Sequence, residues 1–132
     1  MASIFTKIIQ GDIPSYKIAE DDRFFAFLDI NPLAKGHTLV VPKVEIDYIF
    51  DLDEELLGDM MKFAKIVALA IDETMECKRV GIAVLGLEVP HAHIHLCPIN
   101  DLHDIEFSRP KLKLSREEFE KIAEKIAKKV AL

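Results

Sequence analysis

The segment VPHAHIHLCP, residues 89–98, places three of the chain's five histidines at alternate positions, His91, His93 and His95. Side chains alternate between the two faces of a β-strand, so this spacing puts the three imidazoles on one face and the apolar residues between them on the other. The apolar face can pack on a hydrophobic core, whereas an imidazole buried without a partner is costly. The pattern therefore predicts a strand with one core face and one polar face.

Runs rich in β-branched and aromatic residues predict further strands, and turn residues separate them. With the histidine segment, the predicted strands cover residues 16–20, 24–29, 37–42, 78–85 and 91–98. Five strands with short hairpin-type connections favour an α+β fold with an antiparallel sheet and two main helices. A parallel arrangement is disfavoured, because only one helix is placed as a crossover. The length of 132 residues fits a single domain, 1–132.

Helical periodicity predicts the two main helices. Apolar residues recur at intervals of three and four from about 52 to 76, where Asp51 with Glu54 is a plausible capping pair. A last helix follows the capping pair Ser115 and Glu118. A short first helix is expected over 3–10, and the polar segment 99–114 is expected to be a loop.

Composition and charge exclude several classes of protein. The net charge of -6 argues against a nucleic-acid-binding surface, and the longest apolar stretch, at 66–71, is far too short to span a membrane. Cys77 and Cys97 form neither a close-spaced metal pair nor a disulfide framework, so free thiols are expected. The N-terminus lacks the basic start and long apolar run of a secretory signal. We expect a cytoplasmic protein with no nucleic-acid or membrane partner.

The histidine row is compatible with three kinds of chemistry. A zinc ion could bind two histidines at i and i+2, but the outer pair would lie about 13 Å apart, so His37, Glu88 or another remote ligand would be needed. Alternatively the rings only hydrogen-bond at the sheet surface, which is the expected role of His103 in its polar loop. In the third case a neutral imidazole attacks phosphorus while its other nitrogen donates to a fixed acceptor, and neighbouring imidazoles donate to the phosphoryl oxygens. No glycine-rich GxxxxGK[ST] loop is present, which disfavours ATPase chemistry of that type.

The residues HAHIH, together with DINPLAKGHTLVVPK at 29–43, resemble the histidine triad, or HIT, family of nucleotide hydrolases and transferases. The likeness covers nearly the whole chain, with residues 4–43 similar to the family's N-terminal half and 86–100 to its active-site strand. The resemblance implies a HIT-like fold without a metal or cofactor. It also implies reaction at the α-phosphate of a nucleoside phosphate derivative, of the phosphoramidate or dinucleoside polyphosphate type, through a nucleotidyl-histidine intermediate.

The resemblance assigns roles to four histidines. His93 is the expected nucleophile, and the backbone carbonyl of His91 is expected to hold its other ring nitrogen. His95 is expected beside the phosphate. His37 matches a fourth histidine that faces the same site, although a histidine at the edge of the sheet is the alternative.

The resemblance also implies the nucleotide contacts. Asp29 matches the acidic residue that accepts hydrogen bonds from the ribose hydroxyls, and a carboxylate suits that task. Its alternative is a turn residue before Asn31. The side chains of Phe27, Leu28 and Ile30 are expected to wall the base pocket, although core packing explains them equally well.

Two residues are expected to contact the phosphate, and two other positions depart from the family pattern. Gly86 corresponds to a glycine close to the phosphate, and the backbone N–H of Glu88 could reach a phosphoryl oxygen. Many relatives have glutamine where this chain has Leu87, and asparagine around Val80. We expect turnover to be slow, or to favour leaving groups that need little assistance.

The resemblance further implies a homodimer, with the helix at 52–76 and a neighbouring strand at the interface. It also implies that the small-molecule partner is a purine nucleotide. The alternative function is a nucleotide-binding or sensing module with little or no turnover. Leu87 and Val80 are the features that keep this alternative open.

Overall fold

Five strands form one antiparallel sheet in the computed structural model, which describes residues 2–132. The strands are β1 (Lys17–Glu20), β2 (Phe24–Leu28), β3 (Thr38–Pro42), β4 (Arg79–Ala83) and β5 (Ile94–Ile99). They lie in the order β1-β2-β3-β5-β4, and each neighbouring pair is antiparallel. The predicted α+β fold is confirmed. The largest difference in bounds is at the histidine segment, where β5 begins at Ile94 rather than at residue 91.

Three α-helices accompany the sheet: α1 (Ile4–Ile9), α2 (Glu54–Thr74) and α3 (Arg116–Ala127). Two short 3₁₀ helices lie at Ile49–Asp51 and Leu102–Ile105. The second of these lies in the segment 99–114, for which only a loop was expected.

The start of α2 differs from the prediction. Asp53, not Asp51, is the N-cap, and its Oδ1 accepts the backbone N–H of Leu56 at 2.8 Å. Asp51 instead belongs to the preceding 3₁₀ helix, so the predicted pair of Asp51 with Glu54 is wrong. Asp53 has an extended backbone, with φ at -66° and ψ at 161°, and the helix begins at the next residue, Glu54.

The capping box of α3 is confirmed. The Oγ of Ser115 accepts the backbone N–H of Glu118 at 3.1 Å, and a Glu118 carboxylate oxygen accepts the N–H of Ser115 at 3.3 Å. Both orphan donors at this helix end are thus satisfied within four residues.

The two faces of the sheet are covered by different elements. The main core, on the face covered by α2 and α3, contains Ala92, Ile94 and Leu96, the apolar residues that alternate with the histidines. The other face carries a smaller cluster with α1, which contains Phe5, Phe25, Phe27, Leu39 and Val41. Leu39 is the antiparallel partner of His95, so the histidines and this second cluster share a face. The apolar residues between the histidines face the main core, as predicted, whereas the histidines lie buried beside a second apolar cluster and do not line an open polar face.

Cys77 and Cys97 are free thiols, as predicted. Across residues 2–132 the helices include none with the combination of length and apolar character that crossing a bilayer requires.

Candidate active site

Four of the five histidines meet at the beginning of β5. The side chains of His91, His93 and His95 are buried on the α1 face of the sheet, and His37, which immediately precedes β3, is buried beside them. The ring centroids of His93 and His95 are 4.9 Å apart, and those of His37 and His95 are 5.2 Å apart. The structure therefore brings the predicted histidines together.

The ring of His91 is fully used in hydrogen bonds within the protein. Its Nε2 donates to the carbonyl oxygen of Pro42 at 2.8 Å, so its Nδ1 is free to accept the hydroxyl of Ser3 at 2.7 Å. Ser3 is the N-cap of α1, and its Oγ also accepts the N–H of Thr6. Burial lowers the pKa of His91, in keeping with a neutral ring. The imidazole of His91 thus fastens α1 to the sheet and leaves only its backbone oxygen for the next histidine.

That backbone oxygen fixes the proton of His93. The Nδ1 of His93 lies 2.8 Å from the carbonyl oxygen of His91, and since a carbonyl can only accept, Nδ1 carries the hydrogen. In the neutral ring, Nε2 then holds a lone pair. Nε2 has no partner among the described residues, and no buried side-chain nitrogen or oxygen there lacks one, so Nε2 reaches the surface. Phe5 of α1 contacts the ring edge-on, with centroids 5.0 Å apart.

His37 and His95 form a relay with a single allowed arrangement of protons. The backbone N–H of Leu33 donates to Nδ1 of His37 at 3.0 Å, which leaves the hydrogen of a neutral His37 on Nε2. That Nε2 lies 3.0 Å from Nδ1 of His95 and donates to it. The hydrogen of His95 is therefore on its Nε2, which also has no partner among the described residues and, by the same reasoning as for His93, reaches the surface.

Burial keeps the relay neutral. It lowers the pKa of His37 to about 4, with a further contribution from the charge of Lys111. It lowers the pKa of His95 to about 3, with further contributions from His93 and His37. The relay therefore presents a donor N–H on His95 next to Nε2 of His93, which is an acceptor when that ring is neutral.

A cavity of about 650 Å³ opens beside His93. Gly86 lies on its wall in a left-handed conformation, with φ at 72°, which a residue with a Cβ rarely adopts. Most of the lining is apolar and comes from the segment before α2, from α2 itself and from the residues after β4. The structure thus brings Gly86 and His93 to one cavity.

Asp29 closes the opposite end of the histidine cluster, next to His37. Its Oδ1 accepts the N–H of Asn31 at 2.8 Å, so the turn role that was left open is real. Its Oδ2 remains 3.7 Å from Nε2 of His37. Burial raises the pKa of the half-buried carboxyl, and the hydrogen bond from the backbone N–H of Asn31 is the main influence that opposes it. One carboxylate oxygen is therefore committed to the turn, and the other is directed toward the histidines.

The donor atoms of Asp29, His37 and His95 all lie within 4.8 Å of one another, which is the spacing of a metal site. The hydrogen bonds disfavour that use. Nδ1 of His37 faces the N–H of Leu33, so a neutral His37 keeps its hydrogen on Nε2 and has no lone pair there for a metal. Metal binding at this point would require the Leu33 hydrogen bond to break.

Comparison with known proteins identifies the family. The model of the HIT domain matches residues 10–102. The chain belongs to the HIT family. It is 36% identical to a HIT-like protein of Borreliella burgdorferi, over 94% of this chain and 95% of that protein. It is 35% identical to an adenosine 5'-monophosphoramidase of Schizosaccharomyces pombe, over 98% of this chain and 99% of that enzyme. A crystal structure of a Hit-like protein from Bartonella henselae superposes with a TM-score of 0.84 at 33% identity, covering 96% of this chain and 94% of that one.

The residues predicted for the base pocket and the phosphate of this HIT protein differ in the face they occupy and in their exposure. Leu28 does not face the site, because it belongs to the main core on the opposite face of the sheet, so core packing accounts for it. Phe27 is on the site face, with its ring centroid 5.5 Å from that of Phe5. Ile30 is 63% exposed and Leu87 is 90% exposed. Glu88 is also exposed, although its charge contributes to the raised pKa of Asp29.

Three residues that contact the histidines of the HIT site were missed from the sequence. Ser3 is the N-cap of α1, and Phe5 lies in its first turn. A serine at the N-cap followed by an apolar helix face was a usable signal that this helix packs against the sheet. Phe107 contacts His95 from the segment after the second 3₁₀ helix, with ring centroids 4.6 Å apart. That segment has no periodic pattern, so no local signal identified Phe107.

The neutral relay predicts that this HIT protein loses stability in mild acid. The unfolded chain takes up a proton on His37 near the ordinary pKa of about 6.5, whereas the folded chain does so only near 4. The unfolded state binds more protons between these values, so the contribution is complete above about 6.5 and is lost as the pH falls to about 4. It amounts to at most about 3 kcal/mol for His37. Urea unfolding at a series of pH values should show this loss.

Two variants separate this effect from general acid denaturation. His37→Gln should reduce the dependence of the unfolding free energy on pH, while His103→Gln, which changes an exposed histidine of the loop, should leave it as in the wild type. An identical pH dependence in the wild type and His37→Gln would contradict the assignment.

Proposed function

We propose that this HIT protein hydrolyses or transfers the nucleotidyl group of a nucleoside phosphate derivative, of the phosphoramidate or dinucleoside polyphosphate type, by attack of His93 on the α-phosphorus. The observation that carries the proposal is the fixed and opposite hydrogen-bonding character of two neighbouring nitrogens. The Nδ1–H of His93 is held by the His91 carbonyl and leaves a lone pair on Nε2. The relay through His37 leaves an N–H on Nε2 of His95.

The lone pair on Nε2 of His93 suits the phosphorus atom of a phosphoryl group, and the N–H on Nε2 of His95 suits one of its oxygens. In the first step Nε2 of His93 forms a bond to phosphorus, and the bond from phosphorus to the leaving group breaks. The leaving group departs with that electron pair and takes a proton from solvent. The His91 carbonyl stabilises the positive charge that the ring acquires, and the N–H of His95 donates to a phosphoryl oxygen.

The second step restores His93. The oxygen of water or of another acceptor forms a bond to phosphorus and loses its proton to solvent, while the bond from phosphorus to Nε2 breaks and its electron pair returns to the ring. With water as acceptor the product is the nucleoside monophosphate. None of the residues used in either step depends on a metal or cofactor.

The proposed nucleoside lies between Asp29 and the aromatic side chains of the α1 face. The free Oδ2 of Asp29 is suited to accept hydrogen bonds from the ribose hydroxyls. Phe27 and the exposed Ile30 can contact the base, which we propose to be a purine. Gly86 and the backbone N–H of Glu88 are proposed contacts of the phosphate. The adenosine 5'-monophosphoramidase among the relatives supports this substrate class.

A labelling experiment tests the nucleophile. With radiolabelled adenosine phosphoramidate, we expect release of AMP and acid-labile label on His93. His93→Asn should lose both and reduce kcat by on the order of 10³-fold or more, because the attacking atom is gone. His103→Asn, at an exposed histidine, is the matched control and should retain both.

The alternative function predicts a different outcome. A nucleotide-binding or sensing module would bind AMP tightly without forming label or releasing product. That result, or label that persists in His93→Asn, would overturn the proposed chemistry. A panel of adenosine and uridine phosphoramidates, dinucleoside polyphosphates and aminoacyl adenylates would define the base and the leaving group, and faster turnover of the uridine compound would overturn the purine proposal.

Leu87 is proposed to limit the rate. It lies beside Gly86 and is almost fully exposed, so a longer polar side chain can be placed there without repacking. We expect Leu87→Gln to raise kcat, by up to about 10²-fold, by adding a donor near the leaving group. Leu102→Gln makes the same change at another exposed leucine, which does not line the cavity beside His93, and should not alter the rate. An unchanged or lower kcat for Leu87→Gln would contradict the idea.

The protein is further proposed to be a homodimer joined through β4 and α2. β4 is at the edge of the sheet, so its outer backbone groups are unpaired among the described residues. Exposed apolar residues accompany this edge, with Ile82 on the strand, Val84 and Leu85 after it, and Met61 and Leu69 on α2. An uncovered apolar edge of this kind favours pairing with a second copy.

Sedimentation velocity tests the dimer. The wild type should sediment at twice the chain mass of 15.0 kDa, and Ile82→Lys should sediment as a monomer because the charge would be desolvated at the interface. Val44→Lys, at a similarly exposed residue outside β4, should remain dimeric. A monomeric wild type, or a dimer unaffected by Ile82→Lys, would rule out this interface.

A further inference from the structure

Phe107 contacts the histidine relay from outside the sheet. Its ring meets His95 edge-on, with centroids 4.6 Å apart and planes at 69°. It lies 6.1 Å from the ring of His37, again edge-on at 74°. Phe107 thus lies against both members of the relay, and it is beyond the segment 10–102 that the family model matches.

The segment that carries Phe107 is held in place by its own hydrogen bonds. The ammonium group of Lys111 donates to the carbonyl oxygens of Phe107 and Arg109, the latter at 2.9 Å. The next residue, Leu112, donates its N–H to the carbonyl oxygen of Pro32 at 2.9 Å. Because Pro32 belongs to the same turn as Leu33 and His37, these bonds fix Phe107 relative to the relay.

The relay works only while both of its rings are neutral. A proton added to Nδ1 of His95 would face the N–H of His37 across 3.0 Å, and two donors cannot share that position. A proton added to His37 would meet the N–H of Leu33 in the same way. Water next to either ring would stabilise the charged form, so an apolar side chain over the pair favours the neutral one.

The charged groups around the pair do not by themselves decide its state. The carboxylate of Asp29 lies near His37 and favours a proton there, whereas Lys111 disfavours it. His93 faces His95 from the same strand region and also disfavours a proton on it. Burial is the largest cause of the lowered pKa of both rings. A single side chain that excludes water from them can therefore have a large effect on their protonation.

We propose that Phe107 is a positioning residue: its ring covers the His37–His95 pair and holds both imidazoles in the one proton arrangement that directs an N–H from His95 into the site. Its consequence for catalysis rests on the proposed function, whereas its effect on the two rings does not. The chain thus uses a residue from the segment after β5 to set the donor that β5 presents.

Removal of the ring tests the proposal. In Phe107→Ala, water reaches the pair, so the midpoint of the His95 titration, followed by NMR of the imidazole nitrogens without substrate, should rise by about one pH unit or more. Phe107→Leu keeps an apolar cover and should restore most of the wild-type profile. Leu102→Ala, at an exposed leucine of the same segment, should match the wild type throughout.

The comparison of Leu with Asn at this position guards against an unstable Ala variant, because the two side chains have the same branched arrangement of non-hydrogen atoms and differ in polarity. Phe107→Asn should titrate like Phe107→Ala, and Phe107→Leu like the wild type. A His95 midpoint that is the same in all folded variants, or that moves equally for Leu and Asn, would overturn the proposal whatever the activity. If the midpoints move as expected but no form of the protein cleaves a phosphoramidate, the proposed function fails and the role of Phe107 stands.

Discussion

The hydrogen bond from the backbone N–H of Leu33 to Nδ1 of His37 determines which nitrogens of His37 and His95 carry hydrogen. A backbone amide cannot change its donor character, whereas a neutral imidazole has two tautomers. Fixing Nδ1 of His37 as an acceptor fixes Nε2 as a donor, and the same choice passes to His95 through the bond of 3.0 Å between the two rings. A second backbone group, the carbonyl of His91, makes the opposite choice for His93. Two main-chain groups therefore give two adjacent imidazoles opposite roles.

The fold holds that amide in place through the turn between β2 and β3. The N–H of Asp29 donates to the carbonyl of His37 at 2.9 Å, and the N–H of His37 donates to the carbonyl of Ala34 at 3.1 Å. Gly36 has a φ of 97°, and a Cβ there would lie 2.8 Å from Cγ of Met75, the C-cap residue of α2. The turn can therefore pack against the end of α2 only because residue 36 is glycine. The long helix thereby supports His37, although it lies on the opposite side of the sheet from the histidine rings.

The sequence predicted those parts of the structure that have a local period. Alternation at 91–96 correctly separated the histidines from the residues of the main core, because the two faces of a strand differ by one residue. The cap of α2 was assigned wrongly because Asp51 and Asp53 are both suitable N-cap residues, and the glutamate three residues after Asp51 favoured the wrong one. Leu28 could not be separated from Phe27 as a pocket residue until the pairing of β2 with β3 showed which face each one occupies. Phe107 touches a histidine 12 residues away across an irregular segment, and no pattern in the chain encodes that contact.

The hydrogen-bond pattern of the buried imidazoles also explains why the site suits a phosphoryl group. Burying an imidazole nitrogen without a partner is costly, and this structure satisfies both nitrogens of His91 and both of His37. Within residues 2–132, only the Nε2 atoms of His93 and His95 in this cluster lack a protein partner, and in the neutral rings one is an acceptor while the other is a donor. A ligand with an electron-poor centre and, bonded to it, an oxygen that accepts a hydrogen bond complements both nitrogens. A phosphorus atom with its phosphoryl oxygens has both features within one bond length, whereas a metal ion would meet a hydrogen on Nε2 of His95 instead of a lone pair.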